Sequence, residues 1–221
     1  MNKRFQLVVF DWDGTLLDSE RRIVECLHAA SQEAGLESLP PKTLSNVIGL
    51  GLKEAVETLY PAIDTAAYQH FLERYRHHYL FASQTPTPLF EGAREMLEDL
   101  HRRGFWLAIA TGKARRGLDR VLAEQELAHL FHATRCADET FSKPHPQMLL
   151  DIMERVGVEP DQTLMVGDTE YDILMAHNAK TAAVGVGYGV HGRERLLRHP
   201  ILACLDSLGE LATWLNECKV A

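Results

Sequence analysis

Gln6-Leu7-Val8-Val9-Phe10-Asp11-Trp12-Asp13-Gly14-Thr15 is the stretch whose reading decides the fold. Residues 6–10 (QLVVF) are short, β-branched and apolar on consecutive positions. That pattern suits a strand buried on both faces of a parallel sheet, not a surface strand with alternating polarity. The run stops abruptly at Asp11. Side chains alternate along extended backbone, so Asp11 and Asp13 are expected to share one space while Trp12 points away. Two carboxylates converging at a strand end repel, and must share a proton or gather a cation. Gly14 permits a sharp exit from the strand, and Thr15 adds a hydroxyl and a backbone donor. An acidic turn that only caps the next helix would need one aspartate, not two.

Working outward, the same apolar pattern returns at residues 105–110 (FWLAIA) before Thr111, at 163–166 (TLMV) before Gly167-Asp168, and at 182–186 (AAVGV) before a glycine-rich turn. Helical stripes lie between these runs. Ala93, Met96, Leu97 and Leu100 precede Gly104; Leu118, Val121 and Leu122 form a second stripe; Met148, Leu149, Ile152, Met153 and Val156 form a third, closed by Gly157. Glycines in those places are the usual helix C-terminal residues. The spacing Ser207-x-x-Glu210 predicts a capping box at the start of a last helix over 207–218. Strands alternating with such helices predict an α/β fold, a doubly wound parallel sheet of Rossmann-like kind with right-handed crossovers. In such sheets ligands sit outside the carboxyl ends of the strands.

Residues 18–85 break the rhythm. Ile23, Val24, Leu27, Ala30 and Ala34 mark one helix ending at Gly35, further helical stretches surround Val56 and Leu72, and no strand pattern occurs. The segment reads as an all-helical insertion after the first strand, punctuated by Pro40-Pro41 and by the hinge-like Thr85-Pro86-Thr87-Pro88. The expected organisation is therefore a core of residues 1–17 and 86–221 with a helical domain of residues 18–85.

The chain has 221 residues, with 23 Lys plus Arg against 31 Asp plus Glu and a formal net charge of −8. That balance argues against a protein held mainly by nucleic-acid phosphates, and an acidic protein that binds an anion needs local help such as a metal ion. The longest apolar run, 105–110, is far short of the roughly 18–20 residues that cross a bilayer, and the start Met1-Asn2-Lys3-Arg4 leads into only a short apolar stretch. Cys26, Cys136, Cys204 and Cys218 lack metal-type spacing and read as idle thiols in a reducing, cytoplasmic setting.

A second acidic cluster, Gly167-Asp168-Thr169-Glu170-Tyr171-Asp172, sets Asp168 and Asp172 four residues apart. On a helix this pair shares a face at a cost of about 0.2–0.5 kcal/mol, which a divalent ion would remove; equally, acids at a helix N-terminus are favoured by the helix dipole. Oxygen ligands without paired His or Cys point to Mg²⁺. Thr111-Gly112-Lys113 follows a strand and opens a helix, where hydroxyl and backbone N–H groups can hold an anion. Lys143, in the loop Lys143-Pro144-His145-Pro146, can offset the acidic clusters and grip a phosphate oxygen. His145 reads as structural.

Taken in order, Asp11-Trp12-Asp13-Gly14-Thr15, Thr111, Lys143 and Gly167-Asp168 with Asp172 resemble the four motifs of the haloacid dehalogenase superfamily of aspartate-nucleophile phosphotransferases, across nearly the whole chain. The insertion looks like that family's helical cap, which places the chain near its phosphoglycolate phosphatase-like and β-phosphoglucomutase-like branch. The resemblance implies that Asp11 attacks the phosphorus of a phosphate monoester and that Asp13 is acid, then base. It implies that Mg²⁺ is bound by Asp11, the Asp13 carbonyl and Asp168 with Asp172 nearby, and that Thr111, the Gly112 N–H and Lys143 hold the transferring oxygens. Asp13 matches neither the dehalogenase nor the phosphonatase branch. A phosphatase of small phosphorylated metabolites follows, with phosphoglycolate, sugar phosphates and nucleoside monophosphates as candidates; a sugar-phosphate mutase shares the core motifs, and a regulatory binding protein with an unused site is the reading from a different class.

The insertion is expected to close over the site. Gly49-Leu50-Gly51-Leu52-Lys53-Glu54 reads as a helix start or as a substrate-facing loop in which Lys53 meets an anion. Residues 74–78, with Arg76 and His77, read as a solvated helix face. Lys113, Arg115 and Arg116 are expected to add positive potential near Thr111, and Gly187-Tyr188-Gly189 either borders the pocket or is a plain turn.

Overall fold

The computed structural model describes residues 4–218; residues 1–3 and 219–221, which include the Met1-Asn2-Lys3 start and the outermost ends of the expected core segments, lie outside the described residues. Strand β1 (Leu7–Phe10) is followed by helices α1 (Glu20–Glu33), α2 (Pro41–Ser45), α3 (Leu52–Leu59) and α4 (Thr65–His77), and α4 continues into a π-helical turn, His78–Ala82. The chain then alternates: α5 (Ala93–Arg102), β2 (Trp106–Thr111), α6 (Arg115–Glu124), β3 (Ala133–Cys136), α7 (Gln147–Val156), β4 (Thr163–Gly167), α8 (Glu170–Asn178), β5 (Ala182–Val186), α9 (Gly192–Leu196), β6 (Ala203–Leu205) and α10 (Leu208–Glu217).

The six strands form one sheet in the order β3-β2-β1-β4-β5-β6, and every neighbouring pair is parallel. The consecutive apolar residues of β1 are explained by its central place. Val8 and Phe10 pack into the core layer built with α5, α6 and α10. Leu7 and Val9 pack on the opposite layer with α7, α8 and α9. A strand clad on both faces gains about 1.5–3 kcal/mol from each large apolar side chain it buries, on either side. The chain winds from β1 toward β3 on one side and from β4 toward β6 on the other, so the switch in direction falls between β1 and β4.

Helices α1 to α4 bury a separate apolar cluster that includes Ile23, Leu27, Val56, Phe71 and Leu72. They therefore carry their own packing while inserted between the first strand and the rest of the sheet.

Two strands, β3 (ATRC) and β6 (ACL), are absent from the reading of the sequence. β3 is buried only at its ends and β6 is three residues long, so neither shows the unbroken apolar run that marks β1, β2, β4 and β5. The capping box expected at Ser207 does not form. Glu210 accepts the Asp206 N–H at 3.2 Å, and the Ser207 hydroxyl reaches the same carboxylate at 3.4 Å. The reciprocal box sits instead at the start of α8, between Thr169 and Asp172. Gly104 and Gly157 do take the left-handed conformation at helix ends, with φ of 73° and 69°.

Candidate active site

β1 ends at Phe10, so Asp11 emerges at its carboxyl end; β4 ends at Gly167, so Asp168 emerges at the carboxyl end of the neighbouring strand. The capping box of α8 turns Asp172 back toward both: its Oδ2 accepts the Thr169 N–H at 3.0 Å and the Thr169 hydroxyl at 2.7 Å. Carboxylate oxygens of Asp11, Asp168 and Asp172 consequently lie within 4.8 Å of one another, all three buried. Thus Asp168 and Asp172 converge because a turn precedes the helix, not because they share a helix face.

Lys143 is enclosed with them. Its Nζ is 2.6 Å from Asp11 Oδ1 and 2.6 Å from Asp172 Oδ1, and its side chain is 0% exposed. Burial works against its charge, but the two carboxylates outweigh that and hold its pKa above the ordinary lysine range. Asp168 is held by the Thr15 hydroxyl at 2.9 Å and the Val190 N–H at 2.8 Å. Burial first, and the neighbouring Asp172 charge second, push the Asp168 carboxyl up to about 7. Asp11 is likewise raised well above the usual carboxylate range, chiefly by burial, against the pull of Lys143.

The donor set fits a hard divalent cation. Three buried carboxylates meet one lysine; among the described residues Asp11 Oδ2 has no hydrogen-bond partner, and Oδ1 has only the Lys143 ion pair. A buried oxygen left without a donor is costly unless a ligand satisfies it, and an all-oxygen cluster suits Mg²⁺ better than zinc or copper.

Backbone geometry keeps this space open. A Cβ at Gly14, whose φ is +87°, would lie 2.2 Å from Asp168 Oδ2, and one at Gly189 would lie 2.3 Å from Asp168 Cβ. Gly187-Tyr188-Gly189 thus borders the site, with the Tyr188 hydroxyl donating to the Thr15 carbonyl at 2.7 Å.

Asp13 is placed differently. Its carboxylate is not in the three-carboxylate cluster: Oδ1 accepts the hydroxyl of Ser19, the residue before α1, at 2.7 Å, and Oδ2 lies 2.9 Å from Lys113 Nζ. Lys113 also donates to the Tyr79 hydroxyl at 2.8 Å and stands 4.5 Å from that ring's centre. Burial opposes the Lys113 charge, but Asp13 and Tyr79 more than compensate, so its pKa is raised. Thr111, fully buried at the end of β2, accepts the Lys113 N–H on its hydroxyl at 3.1 Å. Asp11, Asp13, Thr111, Gly112 and Lys113 all line one cavity of about 1100 Å³ between the sheet and the inserted helices. Gly112 is wedged beneath the insertion: a Cβ there would lie 2.4 Å from the Leu50 carbonyl and 2.6 Å from that of Gly49.

Other expectations change. Arg115 is paired with the carboxylates of Glu139 and Asp119 and with Thr134 rather than turned toward the cavity; Arg116 lines the cavity and is exposed. The 74–78 run is not a plain solvated face. Arg74 and His78 both hold Glu33 of α1, while Tyr75, Arg76 and His77 line the cavity. Lys53 also lines it, on the first turn of α3. His145 accepts the Gln147 N–H at 3.2 Å and packs on Phe141, a structural role.

The sequence reading missed the residues that fasten the insertion. The Asn46 carbonyl accepts from the Tyr171 hydroxyl at 2.9 Å and from His191 Nε2 at 3.1 Å, and its side-chain oxygen accepts from Arg195 at 2.5 Å. His191 Nδ1 accepts the Glu170 N–H at 3.1 Å, so the proton of the neutral ring lies on Nε2. No local pattern around a lone asparagine signals such a joint.

Residues 8–186 match the family described as haloacid dehalogenase-like hydrolase. The chain belongs to that family. Among curated proteins the hydrolase is 34% identical over 211 residues to "Probable phosphatase IndB" of Dickeya dadantii, covering 93% of this chain and 91% of that one. It is 33% identical over 198 residues to the phosphoglycolate phosphatase of Mannheimia succiniciproducens, covering 86% and 88%. Among solved structures it superposes on a hydrolase from Pseudomonas syringae with a TM-score of 0.88 at 24% identity, covering 97% of this chain and 100% of the other. The hydrolase is a phosphatase of haloacid dehalogenase-like type, and no helix among the described residues is long and apolar enough to cross a membrane.

Proposed function

We propose that this hydrolase is a Mg²⁺-dependent phosphatase of small phosphorylated metabolites, working through an aspartyl-phosphate formed on Asp11, with residues 18–85 acting as its cap. The observation that carries the proposal is the enclosure of Asp11 with Lys143, Asp168 and Asp172 at the carboxyl ends of β1 and β4. A nucleophilic carboxylate needs an unblocked oxygen, and Asp11 Oδ2 has one.

In the first half-reaction an Asp11 oxygen attacks the phosphorus, the ester P–O bond breaks toward the alcohol oxygen, and Asp13 gives that oxygen its proton. In the second, Asp13 takes a proton from water as the water oxygen attacks the phosphorus, and the bond between the phosphorus and Asp11 breaks, releasing inorganic phosphate. Lys143, Thr111 and the Gly112 N–H hold the non-reacting oxygens, the positioning on which phosphoryl transfer mostly depends. When bound by Asp11, the Asp13 carbonyl and Asp168, with Asp172 alongside, Mg²⁺ supplies the positive charge that lets a carboxylate approach an anionic phosphoryl group. The inserted helices, fastened at Asn46, keep bulk water from the intermediate.

Phosphate release from p-nitrophenyl phosphate with and without EDTA tests the proposal. Metal-dependent release that Asp11→Asn abolishes supports it. Bisphosphate-primed interconversion of sugar phosphates with little release would replace it by a mutase, and absence of turnover on any phosphate ester would overturn it.

A further inference from the structure

We infer that Val190 and His191 are positioning residues for the cation: they join the Asp168 carboxylate to the inserted helices, so that seating of those helices and binding of Mg²⁺ strengthen one another. The inference rests on the Mg²⁺-dependent reading above and deepens it by assigning residues that are not themselves ligands.

On one side this pair of residues holds the ligand. The Val190 N–H donates to Asp168 Oδ2 at 2.8 Å, and the His191 N–H donates to the Asp168 carbonyl at 3.3 Å. His191 Nδ1 accepts the Glu170 N–H at 3.1 Å, which closes the loop on the turn that carries Asp168 and Asp172. With the Thr15 hydroxyl on Oδ1, both Asp168 oxygens are aimed before any cation arrives. Ordering a ligand in advance removes that cost from the binding step.

On the other side the same two residues are gripped by the insertion. Val190 lies outside residues 18–85, yet its side chain packs against the apolar cluster of the inserted helices. His191, only 7% exposed, donates from Nε2 to the Asn46 carbonyl at 3.1 Å. Its ring meets that of Tyr171 edge-on at 5.1 Å, and the Tyr171 hydroxyl donates to the same carbonyl. Three residues beyond Asn46, the insertion passes so close over the turn that a Cβ at Gly49 would lie 3.0 Å from Thr169 Oγ1. The side chains of residues 190 and 191 therefore follow the insertion while their N–H groups follow Asp168.

A link this short makes the two events share free energy. If the insertion lifts, Val190 loses its packing and His191 its acceptor, and the groups that aim Asp168 lose their support. Coupling between two sites is reciprocal, so a cation that fixes Asp168 should also steady residues 46–51. Partners that orient a metal ligand typically change metal affinity by about 10–100-fold when they are lost.

Two variants cut the link without touching a ligand. In His191→Asn the amide oxygen falls where Nδ1 stood and still accepts the Glu170 N–H, but nothing reaches Asn46, whose carbonyl keeps the Tyr171 hydroxyl. Val190→Ala keeps the N–H on Asp168 and removes only packing against the insertion. Calorimetric titration of the metal-free full chain with Mg²⁺ alone should show Kd raised about tenfold in His191→Asn, the low end for such partners, and raised less in Val190→Ala. Hydrogen exchange read by mass spectrometry should show residues 46–51 slowed by Mg²⁺ in the wild type and much less in His191→Asn. Should His191→Asn fail to fold, Val190→Ala decides. Wild-type Mg²⁺ affinity in the folded variants, or exchange at residues 46–51 that is indifferent to Mg²⁺ in the wild type, would overturn the inference and leave the phosphatase reading standing. A wild-type chain that takes up no Mg²⁺ would overturn both.

Discussion

Lys113 Nζ and Asp13 Oδ2 lie 2.9 Å apart, with 7% and 10% of their side chains exposed. The lysine that opens the loop after β2 thereby holds the second aspartate of the β1 motif, and Tyr79 from the inserted helices holds the lysine. Truncating one partner of a buried pair leaves the other charge uncompensated, at a typical cost of about 3–5 kcal/mol. The Ser19 hydroxyl still satisfies one Asp13 oxygen, so Lys113→Met is expected near the lower end, about 3 kcal/mol in urea unfolding. Its kcat should fall at least about tenfold, the low side of what a misplaced acid–base group costs. Lys113→Arg should recover most of the stability.

Asp11→Asn separates catalysis from folding. Burial makes the charged carboxyl unfavourable, and Lys143 keeps its second partner, Asp172. Turnover should drop about 10³-fold or more, as for removal of a nucleophile. Thermal unfolding of the metal-free variant at pH 8 should occur no lower than for the wild type. A large fall in melting temperature would mean that Asp11 holds the fold rather than the phosphate.

Metal-free stability should carry a pH signature of Asp168. Its folded-state pKa, about 7, stands above the ordinary 3.8, so between those values the folded chain holds more protons than the unfolded one. Stability from this group is therefore complete below about pH 4 and declines as pH rises toward 7. Melting temperatures of wild type and Asp168→Asn across pH 5–8 should diverge in that direction. Because cation binding needs the deprotonated carboxylates, added Mg²⁺ should raise the wild-type melting temperature more at pH 8 than at pH 6. A larger Mg²⁺ shift at pH 6 would contradict the assignment.

Gly189→Ala should damage cation affinity first. The new Cβ would stand 2.3 Å from that of Asp168, so the Asp168 side chain and its carboxylate must shift from their present place beside Asp11 and Asp172. A Mg²⁺ titration of activity should show half-activation shifted upward at least about tenfold, while unfolding loses about 1–3 kcal/mol, the usual cost of overpacking.

Much of the fold, and the place of Asp11 and Asp168 at the ends of neighbouring strands, could be read from the chain because each feature is local. Asp11 and Asp168 stand where apolar runs stop, and such runs in a doubly wound sheet end on one side. Lys143 was legible only through its motif, since nothing in its loop announces that it reaches two carboxylates. The residues that escaped depend on packing between distant segments. Tyr75, Arg76 and His77 look like a polar helix face until α4 is laid over the sheet. Asn46, Tyr171, His191 and Arg195 meet only in three dimensions. β3 and β6 owe their strand form to their neighbours, β2 and β5, more than to their own composition.

Borohydride trapping during turnover examines the nucleophile itself. Reduction of an aspartyl-phosphate converts the residue to homoserine, which peptide mass spectrometry locates. Homoserine at position 11, formed only when substrate and Mg²⁺ are both present, is the predicted result. Homoserine at another aspartate, or none at all while phosphate is being released, would contradict the account.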